Sequence, residues 1–172
     1  MGTSMASVAF RRTEKVNWSE IKPKIEEMFL GLEGLTSNLD KEENGYAIVS
    51  PYGDMGMFLQ ELPARISSLI GDYAVFSICV DSDFCLTELY YNGNLLEQGC
   101  IGELYMEFDE FPNVHTPALE LWKPMLLDPA NSEILHAAFT ADEVFVEDQL
   151  RQISQLTGLP IFDDELVYGD AL

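Results

Sequence analysis

The segment that decides the fold reads Y-A-V-F-S-I-C-V (73–80), D-S-D (81–83), F-C-L-T-E-L-Y-Y (84–91), N-G-N (92–94) and L-L-E-Q-G-C-I-G-E-L-Y-M-E-F (95–108). Three apolar runs rich in β-branched and aromatic residues are separated by two short turn signals. Such side chains pack well on a pleated surface, so the runs read as strands. Asn92-Gly93 is the stronger turn, because a type I′ hairpin needs φ > 0 at both central residues. The spacing predicts an antiparallel meander with the rest of the chain as its cover. Both alternate sets of the first strand are apolar: Val75 and Cys79 on one side, Phe76, Ile78 and Val80 on the other. The sheet centre is therefore either covered on both faces or left with one face for a partner.

Upstream, residues 6–12 read as either an edge strand or a frayed arm. Asn17 then caps a helix, with Glu20 three residues on as in a capping box. Trp18, Ile21, Ile25, Met28, Phe29 and Leu32 recur at helical spacing and mark its buried face. Pro23 either kinks the first turn or marks a later start, and Gly31 and Gly34 end the helix. Residues 37–45 read as a loop, 46–50 as a short strand stopped by Pro51, and 52–57, with two glycines, as a loop. A helix over 63–70 buries Leu62, Ile66, Leu69 and Ile70; Pro63 suits its first turn and Gly71 its exit.

Downstream, Asp109, Glu110, Phe111 and Pro112 form an acidic, proline-bounded stretch. Thr116-Pro117, Asp128-Pro129 and Ser132-Glu133 read as helix starts. Glu143-Val144-Phe145 is either a short strand or the entry to the last helix. That helix buries Val146, Leu150, Ile153 and Leu156, carries Glu147 and Asp148 at its positive end, and stops at Gly158 and Pro160. The acidic tail over 163–172 reads as mobile, and residues 1–5 as a tag remnant running up to the native start, Met5. No repeat or linker divides the chain. Helices on both sides of a clustered antiparallel sheet predict one α+β domain over 1–172, a β-meander sheet covered by several helices.

With 172 residues, 47% of them apolar and 11% aromatic, the chain has enough material for a real core. No stretch approaches the roughly 18 apolar residues of a membrane span, and the N-terminus lacks the apolar region of a signal peptide; the expected compartment is the cytoplasm. Cys79, Cys85 and Cys100 are odd in number and all fall in predicted strands, which argues for buried free thiols over a disulfide framework.

Charge is the most informative bulk property. Nine basic residues face 30 acidic ones, a formal net charge of -21. Five of the nine, Arg11, Arg12, Lys15, Lys22 and Lys24, lie in the first 24 positions, and between Arg65 and Arg151 there is only Lys123. Such a body repels nucleic acid and anionic lipid, whose binding needs Lys and Arg. It attracts a basic protein and speeds encounter with it. Alternatively, the charge serves solubility alone.

Glu97, Glu103, Glu107, Asp109 and Glu110 place several carboxylates along one predicted sheet edge, with Tyr105 among them as an aromatic anchor. Paired carboxylates are required by glycoside hydrolysis and by two-metal sites. Solvated acidic edges also prevent strand-to-strand aggregation, and acidic residues beside aromatic ones suit an Arg-rich partner. Asp81-Ser82-Asp83 resembles part of a cation loop, but the remaining ligand positions are missing and the residues suit a tight turn. His115 and His136 have no partner at a recognisable spacing, and no nucleophile elbow, P-loop or Rossmann glycine pattern occurs. The sequence calls for no metal and no cofactor.

Two segments carry a resemblance: the strand, D-S-D, strand and Y-Y-N-G-N-L-L-E run over 74–97, and V-F-V-E-D-Q-L-R-Q-I-S-Q-L-T-G-L-P over 144–160. Together they resemble a group of small, acidic, uncharacterised bacterial proteins. In size, acidity and α+β organisation the chain is also similar in type to immunity proteins, the intracellular inhibitors of bacterial toxins. The resemblance carries over no catalytic residue. The charge distribution and the acidic run point to a binding protein whose face is Glu97, Glu103, Tyr105, Glu107, Asp109 and Glu110, exposed and turned toward a basic partner. The alternatives are a carboxylate-based or metal-dependent enzyme, and a stand-alone protein whose charge keeps it in solution. The oligomeric state is not legible.

Overall fold

The computed structural model describes residues 4–51 and 59–168; the loop expected over 52–57 lies outside them. A six-stranded antiparallel sheet forms the middle layer. Its strands are β1 (Met5–Arg11), β2 (Thr36–Ser37), β3 (Gly45–Pro51), β4 (Tyr73–Val80), β5 (Phe84–Tyr91) and β6 (Asn94–Gly102), in the order β2-β3-β1-β4-β5-β6. The helices are α1 (Trp18–Met28), α2 (Leu62–Ile70), α3 (Leu119–Trp122), α4 (Ser132–Thr140), α5 (Val146–Thr157) and α6 (Asp164–Tyr168). The domain is α+β, and β4–β5–β6 is the expected meander.

The reversal at Asn92-Gly93 has φ 48° and 85°, as a type I′ turn requires. At the other hairpin, Asp81 and Ser82 take φ 49° and 63°. Strand β6 carries a bulge opposite Leu89/Tyr90 and stops at Gly102, six residues short of the run that the sequence suggested. Bulges of this kind discourage pairing with another chain along an edge.

The first strand is neither an edge nor a frayed arm. β1 lies between β3 and β4, pairing Met5 with Pro51 on one side and with Cys79 on the other. Met5 itself is buried and paired on both sides, so the fold is occupied from residue 5 onward. Six consecutive buried residues in β1 follow from this position, because a central strand is covered on both faces.

Alternation along the strands sorts side chains into two cores. Ala6, Val8, Phe10, Tyr46, Ile48, Phe76, Ile78, Phe84 and Leu86 meet Ile21 and Ile25 of α1 and Leu62, Ile66 and Ile70 of α2. Met5, Ala9, Val49, Val75, Cys79, Cys85, Leu89 and Ile101 meet Trp122, Leu135, Phe139, Leu150 and Ile153 on the opposite side. The sheet is covered on both faces. Ser7, Ser77, Thr87 and Gly99 are register partners across four strands. This row of small residues lets the outer layer come close: a Cβ at Gly99 would sit 3.0 Å from Pro117, and Ser7 Oγ donates to the Ile161 carbonyl at 3.3 Å.

Helix α1 continues past Pro23, with Asn17 Oδ1 accepting from the Ser19 amide at its start. Two helix ends rely on left-handed glycines, Gly71 after α2 and Gly158 after α5. Arg11 Nη1 donates to the carbonyls of Met125 and Thr157, tying β1 to the end of α5. The tail is docked as far as Tyr168: Arg151 pairs with Asp164 at 2.8 Å, Lys41 with Glu165 at 2.5 Å, and Leu166 and Val167 pack on the core. Residues 163–168 supply apolar and ionic contacts that an acidic composition conceals.

Candidate functional site

At one end of the sheet, the β4–β5 turn and the exit of β6 meet backbone to backbone. A Cβ at Gly102 would clash with the Asp83 carbonyl, and Gly102 has φ 88°, so only glycine suits this crossing. From there the chain leaves the sheet and runs over 103–114 across the α1/α2 side of β5 and β6. Leu104, Phe108, Phe111 and Val114 pack onto that core. Phe84 meets the rings of Tyr105 and Phe108 at 5.3 and 5.9 Å, and Phe76 stacks on Phe111 at 6.4 Å. These aromatic anchors turn a proline-bounded acidic stretch into a fixed surface.

Glu103, Tyr105, Glu107, Asp109 and Glu110 are exposed and lie on this segment, not along a strand edge as the sequence suggested. Glu97 is the correction among the expected site residues. It is on β6 and buried: Oε1 accepts from Trp122 Nε1 at 2.6 Å and Oε2 from the Ala118 amide at 3.0 Å, with His115 Nε2 3.9 Å away. Glu97 caps the start of α3 and is not available to a partner.

The exposed carboxylates have company that the sequence did not suggest. A cleft of about 760 Å³ has Asp83, Glu103, Asp142 and Glu143 in its lining, with Tyr105, Cys100 and Phe139. No Lys or Arg is among the described residues that line it. Burial, then the neighbouring Asp83 and the charge of Asp81, raise the pKa of the Tyr105 phenol. Val144 and Phe145, beside the acidic pair on the α4–α5 connection, are exposed at 82% and 55%. None of Glu103, Glu107, Asp109, Glu110, Asp142 and Glu143 pairs with a cation among the described residues. The Lys and Arg pairs among the described residues lie elsewhere: Lys15–Asp72, Lys22 with Glu26 and Asp40, Lys41–Glu165, Lys123–Glu120, and Arg151 with Asp148 and Asp164.

Two further buried carboxylates hold this end in place. Glu88 accepts from Gln60 Nε2 at 2.9 Å, Gln98 Nε2 at 2.8 Å and the Tyr90 hydroxyl at 3.3 Å. Gln98 also donates to the Glu110 carbonyl at 2.8 Å, so the acidic segment is fastened to the sheet through Glu88. Burial first, then Glu88, pushes the Tyr90 hydroxyl upward and keeps it a donor. Glu147 accepts from Ser82 Oγ, and the Val146 amide donates to the Ser82 carbonyl at 2.9 Å, locking the β4–β5 turn to the start of α5. Glu88 had a signal: it shares parity with Phe84 and Leu86 in an apolar run, so a lone charge there needs partners. Glu147 had none beyond its place in the first helical turn.

The thiols are poor nucleophiles here. Burial pushes Cys100 up to about 11, and burial followed by the Glu147 charge pushes Cys79 up to about 12. Burial also holds Cys85 well above its ordinary range. A protonated thiol is neither an effective nucleophile nor a good metal ligand. Among the described residues, no group of three or more His, Cys, Asp or Glu side chains is arranged to hold a metal ion. His136 is exposed, and His115 uses its carbonyl to accept from the Cys100 amide at 2.8 Å, covering the β6 edge. No helix among the described residues is long and apolar enough to cross a membrane.

Comparison with family models, with curated proteins and with solved structures finds no match. The chemistry of the site therefore has to come from its own residues. It offers a fixed, cation-free acidic surface with exposed Tyr105, Met106, Val144 and Phe145 set into it.

Proposed function

We propose that the protein is an acidic binding module that recognises a basic protein partner, in the manner of an immunity-type inhibitor of a basic toxin, in the bacterial cytoplasm. The observation that carries this reading is the set of carboxylates at Glu103, Glu107, Asp109, Glu110, Asp142 and Glu143, exposed and without cationic partners among the described residues. Charges held on a preorganised surface raise encounter rates with an oppositely charged partner and cost little reordering on docking. The exposed aromatic and aliphatic side chains among them supply the apolar contact that charge alone lacks. Nucleic acid does not fit this surface, because its phosphates require the opposite charge.

The test is affinity capture from the native organism, followed by association kinetics at two salt concentrations. The wild type is compared with a Glu107→Gln, Asp109→Asn, Glu110→Gln variant. The variant should associate about tenfold more slowly at low salt, with most of the effect acting on the on-rate. The difference should shrink near 0.15 M, where the screening length is about 8 Å. A captured partner whose association ignores both the variant and the salt removes this function.

A further inference from the structure

A second cavity lies beneath the same segment, and its chemistry differs from that of the acidic cleft. It has a volume of about 500 Å³ and is lined by Leu86 of β5 and by Leu104, Phe108, Phe111, Pro112 and Val114 of the crossing segment. Glu107 and Asp109 complete the lining. We propose that this cavity binds a small amphipathic cation: an apolar body about the size of one aromatic ring, carrying a single positive amine.

The volume falls within the range of about 300–1,000 Å³ typical of small-molecule sites, which are mostly apolar with a few placed polar groups. The body of the ligand meets the half-buried Leu104, Phe108 and Val114 and the exposed Pro112, in front of the buried Leu86 and Phe111. Its charge meets two carboxylates that are exposed and have no cationic partner among the described residues. The exposed position of both carboxylates puts the positive end of the ligand toward solvent and its apolar end toward Leu86. An anion of the same shape is rejected by the two carboxylates and by a net charge of -21.

The cavity is held open by the fold. The Phe111 amide donates to the Phe108 carbonyl at 3.0 Å, and Gln98 holds the Glu110 carbonyl at 2.8 Å. The rings of Phe108 and Phe111 rest against Phe84 and Phe76. Walls fixed in this way lose little freedom when a ligand enters. The site shares Glu107 and Asp109 with the proposed protein-binding surface, but it takes a free small molecule, and its test needs no protein partner.

The test uses three probes of one shape: 2-phenylethylamine, 2-phenylethanol and phenylacetate. Binding to the full-length protein is followed by calorimetry and by methyl NMR at Leu86, Leu104 and Val114. The amine should bind about tenfold more tightly than the alcohol, a difference of about 1.4 kcal/mol, and phenylacetate should not bind. Glu107→Gln with Asp109→Asn should bring the amine down to the affinity of the alcohol and leave the alcohol unchanged. Val114→Trp, which fills the cavity, should abolish binding of both. Equal affinity for amine and alcohol in the wild type overturns the proposal. So does the absence of methyl shifts at roughly 10 mM amine, a concentration above the dissociation constants of even weak specific sites. Should Val114→Trp fail to fold, the carboxylate pair decides alone, since both residues are exposed and lie outside the core.

Discussion

Two sets of carboxylates on and beside the meander have opposite lives. Glu88, Glu97 and Glu147 are buried and face donors from the protein itself: two glutamines, a tyrosine, a tryptophan, a serine and a backbone amide. Glu103, Glu107, Asp109 and Glu110 are exposed and meet no cation among the described residues. The first set is held by hydrogen bonds, with no Lys or Arg among the partners named for it; only Glu147 Oε2 finds no hydrogen-bond partner among the described residues. A buried carboxylate is tolerated only when its lone pairs are used in this way. The second set keeps its charge for the outside. The inner set also positions the outer one, because Gln98 bridges the Glu88 carboxylate and the Glu110 carbonyl. Acidity alone is therefore a poor guide to role, and each carboxylate has to be judged by what it touches.

The sharpest way to break this division is at Glu97. Glu97→Ala should destabilise the protein by about 3 kcal/mol, since it leaves the Trp122 indole N–H and the Ala118 amide buried without an acceptor. Glu97→Gln keeps one acceptor oxygen and should lose roughly half as much. Urea denaturation, with the midpoint moving and the slope unchanged, is the measurement. A midpoint that stays put for Glu97→Ala would move this residue to the outer set and restore it as a partner contact.

A smaller effect is expected at the opposite end of the meander. Gly93→Val should cost about 2 kcal/mol, because φ is 85° there and the new Cβ would lie 3.2 Å from Ser68 Cβ. The same position separates fold from site. The variant should lower the thermal midpoint yet leave the methyl spectra of Leu104 and Val114 unchanged, since the acidic segment hangs from Gly102, at the other end of β6. Shifts spreading to those methyls would mean that the two ends of the sheet are one cooperative unit.

The meander was legible because a period of two and an Asn-Gly turn are local signals. The central place of β1 was only half legible. Met5 and Ala9 on one side, and Ala6, Val8 and Phe10 on the other, are the two-sided apolar pattern of an interior strand. Its neighbours β3 and β4, however, lie some 40 to 70 residues away in the chain, a separation set by packing and not by local pattern. The site was legible as a stretch and not as a geometry. Glu97 and Glu103 are the same residue six positions apart. What buries the first is Trp122, far along the chain, and what exposes the second is Gly102, where a left-handed backbone takes the chain off the sheet. The acidic pair Asp142 and Glu143 joins the cleft only because Ser82 and Glu147 pin the β4–β5 turn to α5. Pairings of that range leave no mark on spacing or composition.

The smallest expected effect on stability belongs to the outer set, and it is the one that most sharpens the division. Glu107→Gln, Asp109→Asn and Glu110→Gln together remove three exposed negative charges from a chain of net charge -21. Their side chains make no ion pair among the described residues, and the bond that fastens the segment uses the Glu110 backbone carbonyl, which the substitution keeps. Only repulsion is lost, so stability should be unchanged or rise, by no more than about 0.5 kcal/mol. Screening by salt should remove even that gain, since exposed charges interact weakly beyond about 8 Å at 0.15 M. Urea midpoints of variant and wild type at low and moderate salt measure it. Destabilisation by more than about 1 kcal/mol would show that these carboxylates hold the fold as Glu88 and Glu97 do. The protein would then have no outer set at all on the crossing segment, and a solvent-facing role for its charge would have to rest on Glu103, Asp142 and Glu143 alone.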